Sequence, residues 1–489
     1  MPYYLGVDIG TTSAKAVAFS PTGEVLASHS TVYPMYHPQP ACAEQDPEEI
    51  CAAIFESMNK VFSSLDEQPL FVAFSAAMHS LIIIDEEGKP LTRCIIWADN
   101  RAAGIADRLK QEGRAEALYQ STGVPVHAMS PLCKILWLKT FAPQIFLRAK
   151  KFIGIKEYFF FKLFGEYVVD TSVASATGLL KIESLQWDKN VLDFVGISES
   201  QLPALKKVTD IFLLKKNNAV FKNLSADLPF IIGGSDGALA NLGTGANANS
   251  MTVSIGTSSA ARIIVSKPHV DDHMRTFCYH VKDEQYIIGG PSNNGAVVLS
   301  WLKDSLLQTT QSFDELYQKA AQVDAGSNGL LFIPYILGER APIWDSAARG
   351  VFFGLDIKHS QGHLIRACME GVVYAVYNIA KVLFEKTTVT EIYAAGGFTK
   401  SAVWLQMLAD VYNRKVLVSD AVESSALGAV MLGIEALAKE PLSKKRHCTT
   451  YEPNPDNHKT YSAAFEKFEA VYQLLKDQFT REVTPPFTG

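Results

Sequence analysis

Val7-Asp8-Ile9-Gly10-Thr11-Thr12-Ser13-Ala14-Lys15 and, 246 residues further on, Val253-Ser254-Ile255-Gly256-Thr257-Ser258-Ser259-Ala260-Ala261 agree at six of nine positions. An apolar strand, a Gly-Thr turn and a second apolar strand, recurring at half the length of a 489-residue chain, read as a duplication. Chance similarity between two unrelated hairpins is the competing explanation. The duplication predicts two lobes, residues 1–245 and 246–489, divided near the Gly-, Ala- and Asn-rich stretch Asn241 to Ser250. Length agrees, because single cores usually stop growing at roughly 250 to 300 residues. Working outward, Leu70 to Ser75, Leu81 to Asp85, Phe230 to Gly234, Gly350 to Leu355 and Glu391 to Gly396 read as strands. Helical spacing of apolar residues marks Pro47 to Phe62, Asn100 to Lys110, His363 to Phe384 and Tyr461 to Gln478. This alternation predicts α/β lobes with mixed sheets.

Bulk properties narrow the function. A net charge of -6 and a pI near 6.0 argue against a nucleic-acid binder, which needs excess Lys and Arg to displace counterions from phosphates. The seven cysteines are scattered, without Cys-x-x-Cys spacing, and read as buried or free thiols in a reducing compartment. The start, Met1-Pro2-Tyr3-Tyr4-Leu5, enters a strand-like run with no signal-peptide pattern. No uninterrupted apolar run approaches the ~20 residues of a bilayer span. The expected location is the cytoplasm, with no membrane partner.

Chemistry concentrates at glycine turns. Gly10, Thr11 and Thr12 form a tight bend whose N–H and hydroxyl groups can converge on phosphate oxygens. Asp8 ends the preceding strand and offers a carboxylate for Mg²⁺, with Lys15 adding positive charge nearby. Gly256 and Thr257 repeat the turn, but Ser254 stands where the first lobe has Asp8. Ala394-Ala395-Gly396-Gly397 is a strand ending in a glycine pair, a flat backbone surface for an adenine ring or simply a common turn. Ile232-Gly233-Gly234-Ser235-Asp236-Gly237 repeats that pattern and adds Asp236, which is either an N-cap for the small-residue helix that follows or a carboxylate facing the interlobe cleft.

Asp8-x-Gly10-Thr11-Thr12, Asp236, Gly256-Thr257 and Gly396-Gly397 together resemble the FGGY carbohydrate kinases of the actin, hexokinase and heat-shock ATPase superfamily. Met129-Ser130-Pro131-Leu132-Cys133-Lys134 resembles the family's first signature. Gly350-Val351-Phe352-Phe353-Gly354-Leu355, with His363 to Ala367 and Glu370-Gly371, resembles its second. Gly338-Glu339-Arg340-Ala341-Pro342 and Glu423-Ser424-Ser425-Ala426-Leu427-Gly428-Ala429 match as well, so the resemblance runs in family order from Gly6 to about Gly433. It implies two duplicated actin-like, ribonuclease H-like lobes around an interlobe cleft, with sugar and catalytic base in the first and nucleotide in the second. It also implies ATP-dependent phosphorylation of a small polyol, sugar or sugar acid, with ATP and Mg²⁺ as cofactors and a homodimer as the assembly to consider. Asp236 would be the general base, sharing the metal region and the substrate with Asp8 and its neighbours. Thr11, Thr12, Lys15, Gly256 and Thr257 would line the phosphate path, and Gly396 and Gly397 would border the nucleotide. There is neither a Walker-type Gly-Lys-Ser/Thr loop nor the protein-kinase motif set.

The resemblance places substrate in loops around Met78-His79 and Trp97-Ala98-Asp99-Asn100-Arg101. Met78, His79 and Arg101 would contact it, although Asp99 and Arg101 are equally suited to pair with each other. Five strings resemble the gluconate-phosphorylating members more than those acting on xylulose or glycerol: 74–80, 97–101, 127–132, 154–158 and 289–295. A carboxylate substrate wants a cation, for which Arg101, Lys156 and His127 are the candidates and Arg101 the favoured one. Ala174-Ser175-Ala176-Thr177 lacks an Arg common in the family, leaving that loop without an assigned role. Xylulose is the alternative acceptor. A non-catalytic ATPase scaffold is the reading from another class, opposed by a polyol-type loop with its own base.

Overall fold

The computed structural model describes residues 1–479 apart from 215–220, 222–223, 226, 247–248, 420–422 and 443–447. Two mixed sheets organise it. The first contains β1 (Tyr4–Ile9), β2 (Ser13–Phe19), β3 (Val25–Val32), β4 (Val72–Ala76), β5 (Ile211–Leu213) and β6 (Pro229–Ser235), in the order β5-β6-β4-β1-β2-β3. The second contains β7 (Ser250–Ile255), β8 (Ser259–Val265), β9 (Phe277–Lys282), β10 (Gln285–Ser292), β11 (Glu391–Ala395), β12 (Lys415–Ser419) and β13 (Cys448–Tyr451), in the order β9-β10-β8-β7-β11-β12-β13.

One topology is used twice. β1 and β7 each fold back on an antiparallel hairpin partner, Ile9 opposite Ala14 and Ile255 opposite Ser259. On its other edge each pairs in parallel with a distant strand, Asp8 opposite Ser75 and Ser254 opposite Ala395. β4 then pairs in parallel with β6, and β11 with β12. The six-of-nine sequence match thus marks the same central hairpin in both sheets. Of the expected boundary stretch 241–250, residues 247 and 248 lie outside the described residues, as do 480–489.

Local chemistry explains the helices that frame the cleft. α1 (Pro47–Ser63) starts where Asp46 caps the Glu48 N–H and Pro47 takes a position needing no N–H; Ile50, Ile54, Met58 and Val61 form its buried stripe. α2 (Pro131–Phe141), capped by Ser130, and α3 (Ile155–Phe164) build the part of the first lobe inserted between β4 and β6. α4 (Asp236–Thr244) follows β6 directly, with Ser235 at the cap position and Asp236 as its first residue. Asp236 is therefore not the N-cap. α5 (Gln361–Phe384) is long and apolar enough to cross a membrane, but most of it is buried inside the protein, through Val372, Val376, Ile379 and Leu383. α6 (Pro455–Leu475) covers the same core with Phe465 and Phe468.

One helix departs from the division by sequence. α7 (Ser424–Ala436) packs Ala426, Ala429, Val430 and Ile434 against Tyr4, Ala73 and Ile231 of the first sheet and Phe71 beside it. Glycines allow the approach: a Cβ on Gly243 would lie 1.8 Å from Ser424 O, and one on Gly428 2.0 Å from Leu239 O. A segment from the second half of the chain is thus built into the core of the first sheet. This fixes the bottom of the cleft.

Candidate active site

Two carboxylates meet at the cleft floor. Asp8 is the penultimate residue of β1, and Asp236 opens α4 immediately after the bulged end of β6. Only glycine fits that bulge: Gly233 has φ +69°, and its Cβ would stand 1.7 Å from Phe74 O. Both carboxylates are half-buried. Ser75 Oγ donates to Asp8 Oδ1 at 2.8 Å, and the Gly237 N–H donates to Asp236 Oδ1 at 2.7 Å. Loss of water raises the Asp8 carboxyl to about 7, reinforced by the charge of Asp236 and, more weakly, Glu423. Burial also raises Asp236, opposed by Arg262 and the Gly237 N–H.

Asp8 borders a polar cavity of about 280 Å³ whose other walls include Gly396, Thr399, Glu423, Ser424 and Ser425. Gly396 turns there at φ +99°, with its Cβ position 2.5 Å from Ile255 O. Ser424 and Ser425 open α7, whose N–H groups and dipole favour an anion. Glu423, at φ +62°, turns the chain into that helix. The sequence shows this feature as Glu-Ser-Ser before an apolar run, although no role was assigned to it. Lys15 departs from the expectation of a free phosphate-side cation: its Nζ bonds Glu423 Oε1 and Oε2 at 2.9 and 3.0 Å. The wall is net negative as a result. Repelling, desolvated carboxylates suit a divalent cation, yet among the described residues no group of three or more His, Cys, Asp or Glu could hold one alone. Mg²⁺ fits such a site because it keeps waters and shares substrate phosphates instead of requiring a full protein cage.

The two Gly-Thr turns are built alike, and not wholly as expected. The Gly10 N–H donates to Ser13 O at 3.1 Å and the Gly256 N–H to Ser258 O at 2.9 Å. Both glycine donors therefore close their own turns and are not offered to phosphate. Thr12 and Thr257 are exposed, as is Gly397. Thr11 faces the interior of the first lobe: its Oγ1 accepts from Trp97 Nε1 at 2.9 Å, and its carbonyl from Gln45 Nε2 at 2.7 Å. With Gly10, Met78 and Trp97 it lines a narrow cavity between β1 and the 77–97 loops. Neither Gly256, Thr257 nor Gly397 lines the polar cavity beside Asp8.

His79 has φ +68°, an uncommon conformation for a non-glycine residue. Its Nδ1–H donates to Ala176 O at 2.8 Å, which leaves Nε2 as an acceptor for a hydroxyl. Burial and the neighbouring Lys134 push it down to about 3, so the ring is neutral. Lys134, which nothing in the sequence marks as a site residue, holds this loop: its buried Nζ donates to His79 O at 2.6 Å and Ile96 O at 2.8 Å. The Ala174–Thr177 loop carries the His79 partner and also docks the second lobe, Ser175 Oγ accepting from the His280 N–H at 2.9 Å.

The favoured cation for a substrate carboxylate is already occupied. Arg101 bonds Asp99 through Nε and Nη2 at 2.9 and 2.8 Å, and Glu44 through Nη2 at 2.5 Å. Two carboxylates around one buried guanidinium leave no charge to offer. The Asp99 pairing, open in the sequence, is the arrangement found. Lys156 is also consumed, by Asp170 at 2.5 Å and the Ile232 carbonyl at 3.0 Å. His127 is held well below its ordinary value by burial and nearby cations, and carries no charge.

Comparison with known proteins bears on the whole chain. The model for the FGGY family of carbohydrate kinases, N-terminal domain, matches residues 3–243, and that for the C-terminal domain matches 251–437. A gluconokinase of Bacillus subtilis is 43% identical over 98% of this chain and 97% of its own. A crystal structure of gluconate kinase from Lactobacillus acidophilus superposes with a TM-score of 0.94 at 35% identity, covering 98% of this chain and 99% of that one. A crystal structure of ligand-bound xylulose kinase from the same organism matches with the same TM-score, identity and coverage.

Proposed function

Because the chain belongs to the FGGY family of carbohydrate kinases, we propose that it transfers the γ-phosphoryl group of ATP to the terminal hydroxyl of D-gluconate, giving 6-phosphogluconate. The observation that carries the phosphoryl-transfer chemistry is the Asp8–Asp236 pair beside a polar cavity that reaches Gly396 and the start of α7. The 43% identity to a gluconokinase and the five sequence strings support gluconate as acceptor.

Asp236 accepts the proton of the attacking hydroxyl. Burial raises it above the ordinary carboxylate value, which strengthens it as a proton acceptor. His79 Nε2 accepts from a substrate hydroxyl, and Met78 supplies an apolar wall: its Cε lies 3.4 Å from the Cβ position of Gly237. The phosphates of ATP lie along the α7 N-terminus, Thr12 and Thr257, with Gly396 and Gly397 beside the nucleoside. Asp8, with Asp236 adjacent, would hold Mg²⁺, which would supply the charge neutralisation that this negative wall lacks. Such a transfer depends chiefly on positioning and electrostatics, and the Asp8/Ser254 asymmetry assigns the metal side to one lobe. Residues 1–245 and 246–489 form the sugar and nucleotide lobes in this reading, with the cytoplasm as the compartment.

Xylulose is the second reading, favoured by the equal structural match to a xylulose kinase. A coupled kinase assay across gluconate, xylulose, glycerol, ribulose and rhamnulose decides between them. Gluconate is expected to lead in kcat/KM by about a hundredfold; a lead for xylulose or glycerol overturns the acceptor and leaves the kinase assignment standing.

A further inference from the structure

If gluconate is the substrate, its carboxylate needs a partner, and three candidate cations of the first lobe, among the described residues, have no charge to spare. Arg101 is shared by Asp99 and Glu44, Lys156 is bound to Asp170, and Lys134 is spent on backbone carbonyls. Two guanidinium groups of the second lobe are different. Arg262 projects from β8 so that its Nε lies 3.4 Å from the Cβ position of Gly237, beside Met78 Cε at the same distance. Arg340, from the loop matching the family's Gly-Glu-Arg motif, sits with its Cζ 4.9 Å from the ring centre of Trp97. Both reach across to the face of the first lobe that carries Asp236, His79 and Trp97.

Neither arginine forms a direct ion pair among the described residues, although the charges of Asp236 and Glu339 favour the ionised forms of Arg262 and Arg340 from further off. Arg262 Nη1 donates to Ser254 Oγ at 3.2 Å, and Arg340 Nη2 to Ser292 O at 3.2 Å. Arg340 Nε is buried with no partner, and so is the hydroxyl of Tyr279, whose ring lies 5.8 Å from that of His79. The neighbouring Glu339 does not answer this need. Its oxygens are taken by Ser292 Oγ at 2.6 Å, Asn293 N at 3.0 Å and Arg340 N at 2.6 Å. Burial lowers Arg340 to about 10; the charge of Glu339 opposes this in part, and Arg262 adds a weaker repulsion between like charges. Buried donors are normally satisfied, and an unpaired buried cation is costly. Two orphan donors on one interlobe face, Arg340 Nε and the Tyr279 hydroxyl, with the Arg262 guanidinium beside them, describe half of a binding site whose other half is an anion.

We propose that Arg340 and Arg262 bind the substrate carboxylate, Arg340 through its free Nε edge and Arg262 from the side of Asp236, with the Tyr279 hydroxyl donating alongside. This rests on the gluconate reading and deepens it: specificity for a sugar acid comes from the nucleotide lobe, while the base and hydroxyl contacts come from the other lobe. A sugar acid would then bridge the lobes directly. A neutral polyol leaves the Arg340 Nε and the Tyr279 hydroxyl without a charged acceptor.

The test compares gluconate with D-gluconamide, which keeps every hydroxyl and loses the charge, in the wild type and in Arg340→Met, Arg262→Met and the two Lys replacements. Melting temperatures are recorded throughout to confirm folding. The wild type is expected to prefer gluconate over gluconamide by about a hundredfold in kcat/KM. Each Met variant should cut that ratio at least about tenfold, chiefly through KM, and Lys should restore part of it. A ratio preserved in either Met variant overturns the two-arginine site, including the case where Arg262→Met slows both substrates equally and merely shifts the pH profile of Asp236. A wild type that prefers a neutral sugar in the acceptor panel overturns the gluconate reading and this site together, whereas gluconate preference with unresponsive variants overturns this site alone.

Discussion

Replacing Asp8 by Asn should stabilise the ligand-free protein while impairing it as an enzyme. The Asp8 carboxyl is raised from 3.8 to about 7, first by loss of water and then by the charge of Asp236. Above the unfolded-state value the unfolded chain is ionised while the folded protein still holds the proton. Folding therefore becomes less favourable as pH rises from about 4 to about 7, and the cost is level above that. Three units at 1.36 kcal/mol each give an upper bound of about 4 kcal/mol. Asp8 is half-exposed to the cleft, so water screens much of this, and about 1 to 2 kcal/mol is the expected cost. Asn keeps an oxygen for the Ser75 hydroxyl, which donates to Asp8 Oδ1 at 2.8 Å, and it carries no charge. Thermal melts in metal-free buffer from pH 4 to pH 8.5 should show Asp8→Asn melting a few degrees above wild type at pH 8, with the gap closing towards pH 4. Mg²⁺ with ATP should reverse the order by stabilising wild type more. A variant that melts no higher at pH 8, or whose gain does not vary with pH, refutes the picture of a strained, desolvated carboxylate awaiting a cation.

Two further substitutions separate chemistry from scaffold. Asp236→Asn should lower kcat by roughly a hundredfold or more with modest changes in both KM values, as removal of a general base requires; near-normal kcat in a steady-state assay would remove Asp236 from that role. Arg101→Met leaves Asp99 and Glu44 facing each other around a lost guanidinium, so denaturant melts should show a loss of about 3 to 5 kcal/mol. The gluconate-to-gluconamide ratio of the surviving folded enzyme should hold, and a collapse of that ratio would return Arg101 to the substrate site.

Much of the molecule was legible because its signals are local. Apolar spacing from Pro47 announces α1, and the Gly10 and Gly256 turns announce paired hairpins that the structure builds with the same strand order, whereas α2, which starts at Pro131, is not among the helices that the spacing predicts. Each depends on residues a few positions apart, where backbone preference and capping decide. Asp236 was also legible as a carboxylate just beyond a glycine bulge, although its place as first residue of α4 instead of its cap took the backbone to show.

The partners of the charged groups were decided by tertiary structure alone. Arg101, Asp99 and Glu44 close on one another, Lys15 crosses 408 positions to Glu423, and Arg340 reaches the Trp97 ring from the opposite lobe. No spacing rule encodes these pairings. Whether an arginine is spent or available depends on which carboxylates folding brings within a few ångströms, because Coulomb attraction and desolvation act through space and are blind to chain order. The placement of α7 in the first sheet's core follows from the same kind of distant fact, Gly243 of α4 and Gly428 of α7 each admitting the backbone of the other helix. The sequence by itself determined the duplicated lobes and the carboxylates of the cleft; which cations face it was decided by how the two lobes pack.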